Sequence, residues 1–155
     1  MLVNSPLYLF HSNWPCWNCG KPLHVTAIAG VVIAEGAQPA EDALRDIAIL
    51  EYITEMPEEL LALVQTDNPG YSLSYSDTAQ YQYYANVCPH CATMSGDNYI
   101  MGVDGPFFVE EEQQARRISY EQLPLEGEWN VTCNASWGMA QWFLQHGKPV
   151  VRAGG

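Results

Sequence analysis

Positive charge is scarce in this sequence: 6 lysines and arginines stand against 18 aspartates and glutamates, a formal net charge of −12. The bases stand singly except for Arg116-Arg117, so no basic stripe exists to track a phosphate backbone, and nucleic-acid binding by counterion release is excluded. Long apolar runs are missing too. No stretch approaches the roughly 18 residues a membrane helix needs. The leading residues, MLVNSPLYLFHSNWPC, lack a basic segment and a cleavage site behind an apolar stretch, which places the chain in the cytoplasm as an expectation. Also lacking are a P-loop, a dinucleotide-binding fingerprint and a Ser-His-Asp spacing.

What is present is a globular composition. With 48% hydrophobic and 12% aromatic residues, 155 residues suffice to bury a core and fit one domain over 1–155. The stretch 23–36 (LHVTAIAGVVIAEG) is β-branched between turn formers and predicts a strand or hairpin. Residues 38–56 predict a helix, with Pro39 at its start and Leu44, Ile47, Ala48 and Ile53 able to share a face. Pro57 then separates a shorter helix over 57–65. Strands are expected over 71–87, with a turn near Asp77-Thr78, and over 98–103. A short helix is expected over 109–118, a strand over 128–135, and a helix over 136–146 with Ser136 as N-cap and Gly147 as stop.

The chemistry lies in the cysteines. Cys16, Cys19, Cys88 and Cys91 form two Cys-x-x-Cys steps, CWNC and CPHC, and together supply the four thiolates that tetrahedral structural zinc takes. Gly20 follows the first pair, where a knuckle needs unhindered backbone, and Pro89 pre-sets the turn of the second. The 68 residues between Cys19 and Cys88 exceed the usual ribbon spacing of about 15–20, which implies a folded insertion between the knuckles. Cys-Pro-His-Cys is also the active-site step of DsbA-like thiol oxidoreductases, so thiol–disulfide exchange at Cys88 and Cys91 is the rival reading. There the first cysteine caps a substantial helix that lowers its pKa. Here Ser95-Gly96-Asp97 interrupts the chain too soon for one, and a second matching pair favours metal. A zinc deaminase would need His-x-Glu or Cys-x-Glu with Pro-Cys-x-x-Cys, and neither half is present. His90, between two ligands, reads as an outward-pointing knuckle residue, and His11 and His24 stand as substitutes only if a knuckle sulfur were displaced. Cys133 reads as a buried small hydrophobe.

The segments CWNCGKP (16–22), YYANVCPHCATMSGD (83–97) and GPFF (105–108) resemble a group of uncharacterised bacterial proteins. These carry a Cys-Trp-x-Cys knuckle, then Tyr-x-x-Asn-x-Cys-x-x-Cys followed by Gly-Asp, and a downstream Phe-Phe. The resemblance covers about a quarter of the chain and implies one structural Zn2+ held by Cys16, Cys19, Cys88 and Cys91. It carries no activity with it. It includes Gly96-Asp97, and Asn86 is placed to orient the second knuckle. Ala92 departs from the pattern, where glycine is the expected residue.

The expected fold is therefore α+β: a zinc-ribbon-like β-core with knuckles at 14–22 and 86–97, a helical insertion at about 38–66, and a C-terminal strand–helix extension. The expected function is a non-enzymatic binding protein whose acidic surface engages a basic protein partner. The alternative is an enzyme with a pocket near His90, Asp97 and Asp104 in which zinc is only structural. Oligomeric state is not legible in the sequence.

Overall fold

The computed structural model describes residues 1–150. Strands β1 (Leu2–Pro15), β2 (Pro22–Val31), β3 (Ile47–Glu55), β7 (Ser119–Gln122), β8 (Glu128–Asn130), β9 (Thr132–Trp137) and β10 (Lys148–Pro149) form one seven-stranded mixed sheet. Its order is β10-β7-β1-β2-β3-β9, with β8 added to the start of β1. A second sheet holds β4 (Ser72–Ser76), β5 (Tyr81–Val87) and β6 (Met94–Ser95) in that order. Among the described residues the α-helices are α1 (Glu58–Asp67), α2 (Asp97–Ile100), α3 (Glu112–Ala115) and α4 (Met139–His146).

The middle of the large sheet is buried on both faces, and the alternation of its strands divides the core in two. Phe10, Val25, Ala27, Ala29, Ile47 and Ile49 face a cluster closed by Ile100, Phe107, Ala140 and Phe143. Leu7, Leu9, Ile28, Ala48 and Leu50 face the opposite way, against Leu60 and Val64 of α1 and Tyr71. The first face is thus covered by α4 and the loops around α2 and α3, the second by α1 and the entry to the small sheet.

This double burial corrects the expected helical insertion. Residues 47–55 are a central strand, preceded only by a short 3-10 turn at Ala43–Asp46. A strand buried on both faces reads as a nearly continuous apolar run, and such a run also satisfies a helical period. Its β-branched Ile47, Ile49 and Ile53 are the better guide. Only the second half of the expected insertion is helical, as α1. Residues 98–103 are likewise not a strand: Asp97–Ile100 make one helical turn, and the Phe107 amide returns to the Ile100 carbonyl at 3.0 Å. Gly105 permits that return, since a Cβ there would stand 2.5 Å from the Tyr99 carbonyl oxygen and 2.6 Å from that of Ile100.

Strand β1, which carries no expected element, pairs with β2, β7 and β8. The β4–β5 hairpin turns at residues 77–80 as expected. Helix α4 stops at Gly147, as expected, but begins after Gly138 at φ +107°, while Ser136 lies in β9 and donates to Glu51 at 2.9 Å.

Candidate metal centre

The β1–β2 hairpin carries the first cysteine pair at its tip, and the β5–β6 connection carries the second. The two tips share one backbone pattern. In the first, the Gly20 amide donates to the Cys16 carbonyl at 2.9 Å and the Cys16 amide to the Lys21 carbonyl at 2.8 Å. In the second, Ala92 donates to Cys88 at 2.9 Å and Cys88 to Thr93 at 2.9 Å. Residues Gly20 and Ala92, each just past its second cysteine, occupy the left-handed region at φ +76° and +60°.

The knuckles face one another. Cys16 Sγ lies 3.7 Å from Cys91 Sγ, and Cys19 Sγ lies 3.7 Å from Cys88 Sγ. All four sulfurs fall within 4.8 Å of each other. Four sulfurs at about 2.3 Å from a central zinc stand about 3.8 Å apart in a tetrahedron, so the cluster has the spacing of a single four-thiolate metal site. Cys16 and Cys88 are buried, Cys91 is half-buried, and Cys19 reaches the surface.

The protonation chemistry fits a metal as well. Hydrogen bonds from the Thr93 side chain, from Asn18 and from the Thr93 backbone pull the Cys91 thiol down to about 6. At Cys19 the Lys21 backbone also pulls down, but desolvation and the neighbouring Cys88, Cys91 and Cys16 thiols override it and hold the thiol up at about 11. Four thiolates this close repel one another, and a divalent cation among them offsets that repulsion. The first helix after Cys88 begins at Asp97, so neither cysteine of that pair caps a helix.

Further contacts lash the first knuckle to the segment after the second. Trp17 Nε1 donates to the Met94 carbonyl at 2.9 Å, Asn18 Nδ2 to Thr93 Oγ1 at 3.2 Å, and the Tyr99 hydroxyl to the Pro15 carbonyl at 2.7 Å. The Asn86 side chain, expected to orient the second knuckle, bonds instead to Thr26 and Asn68. Its buried Oδ1 accepts from the Thr26 amide at 2.9 Å, the Thr26 hydroxyl at 3.2 Å and Asn68 Nδ2 at 2.7 Å, while its Nδ2 donates to the Thr26 carbonyl at 3.1 Å. With its polar atoms so satisfied, the side chain joins β5 to the centre of the large sheet without the cost of an unpaired buried amide.

Asp97 is 6% exposed and has a structural task. Its Oδ2 accepts from the Tyr52 amide at 2.7 Å, and its own amide donates to the Tyr83 hydroxyl at 3.0 Å. Tyr52 sits at φ +51°, where β3 shifts register against β9. Asp97 therefore holds a bulge whose left-handed tyrosine costs about 1–2 kcal/mol. Burial raises this carboxyl to about 7, against the Tyr52 hydrogen bond, with Glu51 adding to the rise. The residues expected around one pocket near His90, Asp97 and Asp104 are divided: Gly96 and Asn98, on either side of Asp97, line a cleft with Trp17 and Tyr75. His90 and Asp104 are exposed, and Asp104 lines a different cleft, beside Trp14, Phe108 and Arg117.

Cys133 is half-buried rather than buried, packs against the second core cluster, and has its thiol pushed up to about 11 by burial. Among the described residues no helix is long and apolar enough to cross a membrane.

No family model, no curated protein and no solved structure matches this chain. Fold and site together define its class: an α+β protein in which two distant Cys-x-x-Cys knuckles meet in a four-cysteine cluster of metal-binding geometry.

Proposed function

We propose that this chain is a zinc-stabilised interaction protein, in which one structural Zn2+ at Cys16, Cys19, Cys88 and Cys91 holds out an aromatic docking cleft for a basic protein segment. The observation that carries the reading is Trp17. It lies between two zinc ligands and is 59% exposed, yet its indole is fixed to Met94 at 2.9 Å. It forms one wall of a cleft of about 570 Å3 with Tyr75, Asp77, Met94 and Tyr99. Tyr75 is 56% exposed. Exposed aromatic groups held rigid are what binding surfaces use, because little freedom is lost when a partner covers them.

Charge supports the choice of partner. The chain carries −12 overall, Asp77 lies in the cleft, and a zinc tetrathiolate adds two further negative charges beside it. Lysine or arginine side chains are the natural complement to acid and aromatic faces together. A fourth cysteine leaves zinc no open position for water, which suits a structural and not a catalytic ion.

The test is binding of Lys/Arg-rich peptides by the zinc-loaded protein, measured by calorimetry at low and moderate salt. Trp17→Ala is expected to weaken binding at least tenfold while zinc content stays unchanged. Absence of binding at low salt, or unchanged affinity in Trp17→Ala, would overturn the reading.

A further inference from the structure

A second group of ligand-type side chains lies away from the cysteines, where four elements converge. His11 on β1, His24 on β2, Glu121 on β7 and Asp67 at the end of α1 come from positions up to 110 residues apart. His11 Nε2 lies 3.0 Å from Glu121 Oε1, and His11 Nδ1 lies 2.8 Å from His24 Nε2. One ligand atom from each of His11, Asp67 and Glu121 falls within 4.8 Å of the others. Side chains of His11 and Glu121 are only 12% and 6% exposed.

We infer that His11, Asp67 and Glu121 form a second cation site, independent of the cysteine cluster, for a divalent first-row ion that takes imidazole and carboxylate ligands, with His24 as the positioning residue behind His11.

Three features of the geometry support this. Two ligand atoms each about 2.1 Å from one ion, and at right angles to it, stand about 3.0 Å apart, which is the His11–Glu121 distance. The ligand set of one imidazole and two carboxylates is that of a borderline-to-hard ion such as Mn2+, Fe2+ or Co2+, not of the soft site built from sulfur. Finally, a metal-bound histidine places its other ring nitrogen against a second group that fixes its orientation, and His24 occupies that place at 2.8 Å.

On its imidazole side the cluster borders a cleft of about 320 Å3, lined by His11 and His24 with Ser12, Asn13, Arg117 and Ser119. Three protein ligands leave coordination positions for water, and Arg117 stands on the cleft wall for an oxyanion that replaced it.

The experiment titrates the zinc-loaded, full-length protein with Mn2+ and follows loss of the free-ion signal by electron paramagnetic resonance. One saturable Mn2+ per chain is expected, with an imidazole nitrogen coupling in the pulsed spectrum. Glu121→Gln and Asp67→Asn should each weaken uptake at least tenfold with zinc content unchanged, and His24→Asn should weaken it about tenfold. Asp67 is half-buried at a helix end, so its variant carries the test if Glu121→Gln does not fold. No saturable uptake at millimolar Mn2+, uptake without nitrogen coupling, or equal uptake in Asp67→Asn would show a plain His11–Glu121 ion pair and overturn the site. None of these results depends on peptide binding at Trp17.

Discussion

The two knuckles have the same hydrogen-bond pattern but differ in how the rest of the molecule holds them. The first is the tip of a hairpin: β1 and β2 run antiparallel from Asn4↔Val31 to Pro15↔Pro22, so local pairing alone brings Cys16 and Cys19 into place. The second hangs from the short β5–β6 pairing of Asn86↔Ser95 and Val87↔Met94. Its position depends on distant partners, namely Thr26 for Asn86 and Tyr52 for Asp97. A further contrast lies at the left-handed residue, glycine in the first knuckle and alanine in the second. The lesson is that one half of the centre is a local structure and the other is assembled by tertiary contacts. A metal joining them converts binding energy into folding energy across 68 intervening residues.

Changes in the second knuckle should therefore be felt through the whole molecule. Cys88→Ser removes a buried ligand, and the expected result is loss of the zinc together with roughly 4 kcal/mol or more of stability. Metal analysis and denaturant unfolding of the same sample check both. Full stability in a metal-free variant would contradict the coupling of the two.

Asp97, just beyond the second knuckle, gives that half a pH dependence near neutrality. Its folded value of about 7 exceeds the 3.8 ordinary for an aspartate, so the native state binds the proton more tightly than the unfolded chain. The stabilisation from that proton is complete below about 4 and falls as pH rises through about 7. Asp97→Asn keeps an acceptor for the Tyr52 amide and cannot ionise. Its melting temperature should exceed that of the parent chain at pH 8, and the gap should close toward pH 4. A gap that does not change with pH would separate Asp97 from this behaviour.

The smallest effects come from exchanging the left-handed residues. Gly20→Ala meets no atom within 4 Å but must adopt φ +76°, a cost of about 1 kcal/mol. Ala92→Gly relieves the same conformation and is expected to gain somewhat less than about 1 kcal/mol, because glycine also loosens the unfolded chain. Thermal melts of both variants at one zinc per chain measure the pair. Shifts of the same sign would break the equivalence of the two knuckles.

These contrasts also mark what the sequence could disclose. Cys-x-x-Cys is a four-residue pattern whose chemistry is written locally, so Cys16, Cys19, Cys88 and Cys91 were legible as one group despite their separation. Helix α1 and the β4–β5 hairpin were legible for the same reason, with Pro57 and Asp77-Thr78 as punctuation. Strand β3 was not, because burial on both faces erased the alternation that identifies a half-exposed strand. Strand β1 has no flanking turn signals at its start and carries polar residues toward a mixed surface. Asp97 stood out in the sequence, but its partner Tyr52 lies 45 residues away and donates from the backbone, which no side-chain pattern records. His11 and Glu121 had no shared motif, since only the β1–β7 pairing brings them together.

The most direct test of the central claim is the zinc absorption-edge spectrum of the protein loaded with one equivalent of zinc. Four sulfur neighbours at about 2.3 Å are predicted. A first shell containing nitrogen or oxygen, or a protein that fails to retain one zinc, would contradict the joining of the two knuckles through a single ion.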